Sequence, residues 1–366
     1  MTVVSVSHPF SSAHRGFRPS LFIAAGATLA LALSGCSSDS KEVGGGSGAN
    51  GKLQVVTTTT QVDDFTRYIG GDHIDSMRLL KPGASAHHFD PSPADLAALG
   101  KADVLVINGA GLELFIESAV EASGFEGVII DASEGVDLEH AEGEDHDHDH
   151  DHDHDHDHDH DHDDHDHDHD DHDHDHDHGG VNPHLWTSPE NAAGMVEAIA
   201  DGLIEASPAH KETFEANKDE YLEKLEELDE WVEAQINKVP EAERQFTSAH
   251  NSLDYFLDEY DIEFIGAVIP SFDDNAEPSA AEMDALIQKI KEKNVKVIFS
   301  ESTVNPKLSE TVAKETGAKM IEDPIYADSL AAEGEASTYI GATVKNTQIM
   351  VEAWGQTPES VPSSLM

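Results

Sequence analysis

Apolar residues along the chain follow three patterns. Near the amino terminus they form a nearly unbroken run, Leu21-Phe22-Ile23-Ala24-Ala25 through Leu29-Ala30-Leu31-Ala32-Leu33, behind the positive flank of His14, Arg15 and Arg18. The run is shorter than the roughly 20 apolar residues that a membrane-spanning helix needs, so it predicts a secretory signal over residues 1–35. From Leu53 onward, short β-branched runs alternate with helical stretches. Leu53-Gln54-Val55-Val56-Thr57-Thr58, residues 74–80, 104–107 and 127–131 read as buried strands, with helices over 61–69, 92–101 and 112–122 between them. The alternation returns later, with strands over 245–248, 263–268, 295–299 and 318–321 and a helix over 280–293.

The third pattern joins these two regions. Between residues 208 and 238, Phe214, Tyr221, Leu225, Leu228, Val232 and Ile236 follow one another at steps of seven, four, three, four and four, which is one face of a helix. About 28 helical residues span roughly 40 Å, enough for a strut along two small domains. A coiled-coil seam needs three or four sustained heptads, and this stripe is barely that long. The fold class is therefore α/β, with two similar lobes, each a small mostly parallel sheet flanked by helices, joined by one long rigid helix. The divisions are a signal (1–35), a tether (36–52), an N-terminal lobe (53–207), a linking helix (208–239), a C-terminal lobe (240–356) and a flexible tail (357–366).

Charge and cysteine usage narrow the function. With 21 Lys and Arg against 74 Asp and Glu, the net charge of −53 excludes nucleic acid as a partner and leaves no basic patch to hold anionic lipid. Cys36 is the only cysteine, so the chain has no internal disulfide, and a metal site must use His, Asp or Glu. It closes the sequence Leu33-Ser34-Gly35-Cys36, which resembles a lipobox. That resemblance implies cleavage before Cys36 and acylation, palmitate included, with Gly44-Gly45-Gly46-Ser47-Gly48 in a flexible tether beyond it.

Much of the negative charge lies within a loop of about residues 140–180, where Asp and His alternate from Asp145 to His178. Such a segment cannot build a core and is expected to be disordered. Its imidazoles suit Zn²⁺, Cu²⁺ or Ni²⁺, and two or three at a time can wrap an ion weakly. His146, His148, His150, His152, His165, His167, His174, His176 and His178 are candidates for this low-affinity binding.

Other histidines stand where strands give way to loops: His87 and His88, His184, and His250. Ligands of open α/β sheets bind outside the carboxyl ends of strands. His73 and His210 read as surface residues, and Trp186 as packing beside a site. The surrounding segments resemble the solute-binding lipoproteins of zinc and manganese ABC importers, the cluster A-I metal-binding family of zinc-uptake type. Gly83-Ala84-Ser85-Ala86-His87-His88-Phe89-Asp90 resembles the first ligand loop, with Ala86 where the family often has Pro, and its register selects His87 over the adjacent His88. Asn182-Pro183-His184-Leu185-Trp186 resembles Asp-Pro-His-x-Trp, Ser248-Ala249-His250-Asn251 the third ligand segment, and Tyr326-Ala327-Asp328-Ser329-Leu330 the fourth. The resemblance implies a cleft site of His87, His184, His250 and Asp328, with Glu301, Glu322 and Asp323 as rival carboxylates nearby.

Three imidazoles and one carboxylate make a tetrahedral set suited to Zn²⁺. In the family a Glu as third ligand accompanies manganese and a His accompanies zinc, so His250 points to zinc. The implied function is capture of Zn²⁺ and its delivery to the permease and ATPase of an ABC importer, by a monomer lipid-anchored outside the cytoplasmic membrane. Manganese as cargo, or a surface zinc buffer or metal-dependent adhesin of the same fold, are the alternatives. The chain has no His-Glu-x-x-His motif and is not expected to be an enzyme. His87 and His184 belong to the first lobe and His250 and Asp328 to the second, so the ion would bridge both.

Overall fold

A computed structural model describes residues 51–138 and 181–366. The predicted signal, Cys36 with most of its tether, and the Asp/His tract lie outside the described residues. Strands β1 (Leu53–Thr57), β2 (Ile74–Arg78), β3 (Val104–Ile107) and β4 (Val128–Asp131) form one parallel sheet in the order β2-β1-β3-β4. Helices α1 (Thr60–Gly70), α2 (Pro93–Leu99) and α3 (Ile116–Ser123) make the crossovers that parallel pairing requires. Local chemistry sets their starts. Thr59 caps α1 by accepting from the Val62 N–H, and Ser92 and Asp95 form a capping box ahead of α2. The strand order reverses direction between β1 and β3, which opens a crevice at their carboxyl ends.

Helix α3 starts four residues later than the apolar pattern predicts. Gly109, Ala110 and Gly111 all take positive φ, and the next residues are spent on turns. Glu113 turns inward instead of out: its carboxylate accepts from the Thr58 hydroxyl at 2.5 Å, the Asn108 N–H at 2.7 Å and the Gly109 N–H at 3.1 Å. Gly109 tolerates no side chain, because a Cβ there would collide with Asp131 and Ser133.

Helix α4 (Pro189–Ala206) leads through a short 3-10 turn, Pro208–His210, into α5 (Lys211–Ile236), the long helix expected from the stripe. Phe214, Tyr221, Leu225, Leu228, Val232 and Ile236 are all buried. At 26 residues α5 is roughly 39 Å long. His73 and His210, read as surface residues, are half-buried and stack face to face at 4.0 Å over the start of α5.

In the second half, β5 (Gln245–His250) pairs in parallel with β6 (Glu263–Ile269) across α6 (Asp254–Glu259). Helix α7 (Ala280–Lys293) leads to β7 (Val297–Glu301), which pairs in parallel with β8 (Lys319–Ile325) across α8 (Lys307–Thr316). Strand β5 lies against β7, and stacked Phe246 and Phe299 rings 4.7 Å apart tie the two pairs together. Finally α9 (Tyr339–Ala353) packs on α5 and α1. Phe65 meets Tyr221 and Tyr339 edge-on at 5.9 and 5.0 Å, so one buried ring joins all three helices.

Residues 357–366, expected to be a flexible tail, instead lie along α5. The Glu359 N–H donates to Gln235 Oε1, Lys224 Nζ to the Ser364 carbonyl, and the Ser364 hydroxyl to Glu227, while Leu365 is buried. Of the segment's apolar residues Val361 and Leu365 reach the core, while Met366 stays exposed.

Candidate metal centre

Four loops at the carboxyl ends of strands converge. His87 lies in the connection from β2 to α2, His184 just before a 3-10 turn, Leu185–Thr187, that leads to α4, His250 at the last position of β5, and Asp328 in the loop after β8. Their donor atoms all lie within 4.8 Å of one another, and all four residues except the half-buried His87 are buried. His87 Nε2 is 3.3 Å from His184 Nε2, while Asp328 Oδ1 is 3.2 Å from His184 Nε2 and 3.4 Å from His250 Nε2. Ligands about 2.1 Å from a tetrahedrally coordinated ion stand about 3.4 Å from each other, so these separations fit one small cation. His250 Nε2 and Asp328 Oδ1, though completely buried and close to each other, make no well-aligned hydrogen bond. Such orphaned atoms are costly, and a shared cation would satisfy both.

Two of the three imidazoles, His184 and His250, have a side chain behind them. His184 Nδ1 lies 2.7 Å from Asn182 Oδ1, which also accepts the His184 backbone N–H at 3.1 Å. Asn182 Nδ2 in turn donates to Asp254 at 3.0 Å. With the proton on Nδ1, His184 presents the Nε2 lone pair inward. His250 Nδ1 sits 2.7 Å from Glu301 Oε2, off the line of a well-aligned hydrogen bond. Glu301 is fixed at the end of β7: its Oε1 accepts the Ala249 and His250 N–H groups, both at 2.9 Å, and its Oε2 accepts the Ser252 hydroxyl at 3.2 Å.

Electrostatics divides the histidines. Burial lowers the pKa of His184 and of His87, with Asp328 opposing in part, so both stay neutral and available as ligands at neutral pH. Burial also works against charge on His250, but Asp328 and Glu301 flank it and raise its pKa well above the ordinary value. Burial would raise Asp328, yet His250 and His184 hold it well below the usual carboxylate range. Without an ion, the centre thus holds an imidazolium between carboxylates.

Of the rival carboxylates, Glu301 backs His250, and Glu322 and Asp323 are exposed on β8, apart from the cluster. His88 is outside the set and pairs with Asp273 at 2.7 Å. Trp186 packs with its ring 5.4 Å from His184 and donates from Nε1 to the Ala327 carbonyl at 2.9 Å. That carbonyl also accepts from Gln61 at 3.0 Å, the Leu330 N–H donates to Thr60 at 2.9 Å, and the Gly83 N–H donates to Ser329 at 2.7 Å. The Asp328 loop, assigned by sequence to the second lobe, is therefore fastened to the first by four hydrogen bonds. From the second half, Thr303 donates to Asp328 Oδ2 at 3.2 Å. Sequence reasoning missed the parts of Glu301 and Asp254. The acidic residue after the β7 strand pattern was a visible signal, whereas nothing in the spacing tied Asp254 to His184.

Comparison with known proteins identifies the family. Residues 55–353 match the family model described as zinc-uptake complex component A, periplasmic (ZnuA). The high-affinity zinc uptake system protein ZnuA of Bacillus subtilis is 33% identical over 300 residues, covering 82% of this chain and 85% of the relative. The manganese-binding lipoprotein MntA of Halalkalibacterium halodurans is 26% identical over 330 residues, covering 90% and 96%. The periplasmic zinc-binding protein TroA of Treponema pallidum superposes with a TM-score of 0.70 at 21% identity, over 84% of this chain and 100% of that one, and shares the fold.

Proposed function

Because the chain belongs to the ZnuA family, the metal-binding substrate-binding components of ABC importers and not enzymes, we propose that its cargo is Zn²⁺, held by His87, His184, His250 and Asp328. The observation that carries this reading is the set of donor separations, 3.2 to 3.4 Å, close to the edges of a small coordination tetrahedron. Three imidazoles with one carboxylate favour zinc over manganese, which stands at the weak end of the divalent affinity order and prefers oxygen. Capture expels the His250 proton and replaces it with the ion, which neutralises the buried Asp328 and Glu301 charges. Four protein ligands leave no open position, as suits cargo and not catalysis.

The protein is proposed to act as a monomer, anchored through acylated Cys36 at the outer face of the cytoplasmic membrane, and to deliver zinc to a permease driven by its ATPase. Support for the anchor comes from relatives named as lipoproteins, among them MntA of H. halodurans. The Asp/His tract gathers zinc near the cleft. Manganese is the second reading, favoured by that same relative's name.

Competitive titration of a chain lacking residues 139–180 with Zn²⁺ and Mn²⁺ tests the proposal. One tightly held zinc, lost in His184→Ala and His250→Ala, is expected. Preference for Mn²⁺ would overturn the choice of cargo, and binding that vanishes with the tract would overturn the site itself. Zinc uptake from scarce medium should fall when the tract is deleted, and undiminished uptake would refute its gathering role.

A further inference from the structure

A second set of groups able to bind a metal lies outside the four-residue centre. His88, Asp273 and Asp274 hold their donor atoms within 4.8 Å of one another, with His88 exposed, Asp273 half-buried and Asp274 buried. His88 comes from the first half, in the connection from β2 to α2, and the two aspartates come from the second, in the connection from β6 to α7. His88 Nε2 is 2.7 Å from Asp273 Oδ1. Two carboxylates crowd together here, next to the negative Asp328, and an arrangement of this kind is relieved by a cation.

The outer group is wired to the inner one. His88 follows His87 directly in the chain. The Ser85 hydroxyl donates to Asp274 Oδ1 at 2.9 Å and accepts the His87 backbone N–H at 3.2 Å. One imidazole and two carboxylates leave coordination positions for water, so the outer site should bind more weakly and exchange faster than a closed four-ligand centre.

We propose that His88, Asp273 and Asp274 form a second divalent-cation site, which receives the ion from solvent ahead of His87. The proposal rests on the metal-binding reading of the inner centre. The test is zinc-edge anomalous scattering from crystals of the full chain grown with one and with ten equivalents of Zn²⁺. A peak at the inner centre at one equivalent, joined at ten by a second between His88 and the two aspartates, is expected. An inner peak alone, with His88 still paired to Asp273, makes that pair a latch between the halves and overturns the proposal. No inner peak refutes the inner centre instead.

A kinetic arm addresses the route. Co²⁺ binding to the inner centre is followed in stopped flow by quenching of Trp186, which packs on His184. His88→Ala and Asp273→Asn should each slow the association at least fivefold, and rates equal to wild type would overturn the receiving role.

Discussion

Glu301→Gln isolates what a buried carboxylate behind a ligand contributes. The replacement keeps an oxygen where Oε1 accepts the Ala249 and His250 N–H groups at 2.9 Å, so the turn after β5 should survive. It inverts the other atom: an amide NH₂ then faces His250 Nδ1, 2.7 Å away, in place of an acceptor. A donor there forces the Nδ1 lone pair outward and puts the proton on Nε2, the atom that must meet the ion. Loss of such an orienting partner weakens metal affinity about 10- to 100-fold, or about 1.4 to 2.7 kcal/mol. Protons should report the change as well. Because Asp328 and Glu301 hold His250 protonated, wild-type affinity should rise about tenfold per pH unit for as long as binding displaces that proton. The variant, with one carboxylate fewer, should lose this dependence from a lower pH upward. Zinc titration calorimetry in buffers of different ionisation enthalpy measures affinity and proton release together. An affinity within twofold of wild type, with the same proton release, would refute the orienting role.

Three further outcomes concern stability. Burial raises Glu259 to about 7 and Asp64 to about 6, above their unfolded values. The folded state therefore binds the extra protons, and these groups withdraw stability as pH rises from about 4 to 7; Glu259→Gln should gain up to about 3 kcal/mol over wild type at pH 8 and little at pH 4, a difference that parallel melting curves would expose as false. Asn182→Asp would put a second carboxylate 3.0 Å from Asp254, itself raised by burial, and should melt lower at pH 8 by about 1 to 3 kcal/mol with recovery at pH 5; equal losses at both pH values would refute charge repulsion as the cause. Phe65→Ala opens a cavity between α1, α5 and α9 and should cost about 3 to 5 kcal/mol, so a loss below 1 kcal/mol in urea unfolding would contradict the packing described for that ring.

Much of the architecture was legible because burial leaves a periodic trace. Val55, Val56, Val104 and Val106 sit in strands covered on both faces, and the α5 stripe from Phe214 to Ile236 appears in full. His184 and His250 were legible because short motifs surround them at the ends of strands. Glu301 was not, since it reaches His250 from 51 residues away through the packing of β5 against β7, and no local spacing encodes that. Asp254 was hidden likewise, because Asn182 links it to His184 only after folding. The late start of α3 was missed because Glu113 serves as a buried acceptor for a turn, a role that helical periodicity does not register. The final residues looked flexible because three apolar side chains, Val361, Leu365 and Met366, among polar ones give no period.

On the proposed function, the four hydrogen bonds that fasten residues 327–330 to the first half would also decide which bond to the cargo breaks first. If β5 and β7 were to draw back while that loop stayed fastened, His250 and Glu301 would leave and His87, His184 and Asp328 would remain together. Unloading then begins with the loss of a single ligand, and His250 recovers its proton as it goes. On the proposed function, the ion would then sit on three ligands with one face bare, open to an incoming donor.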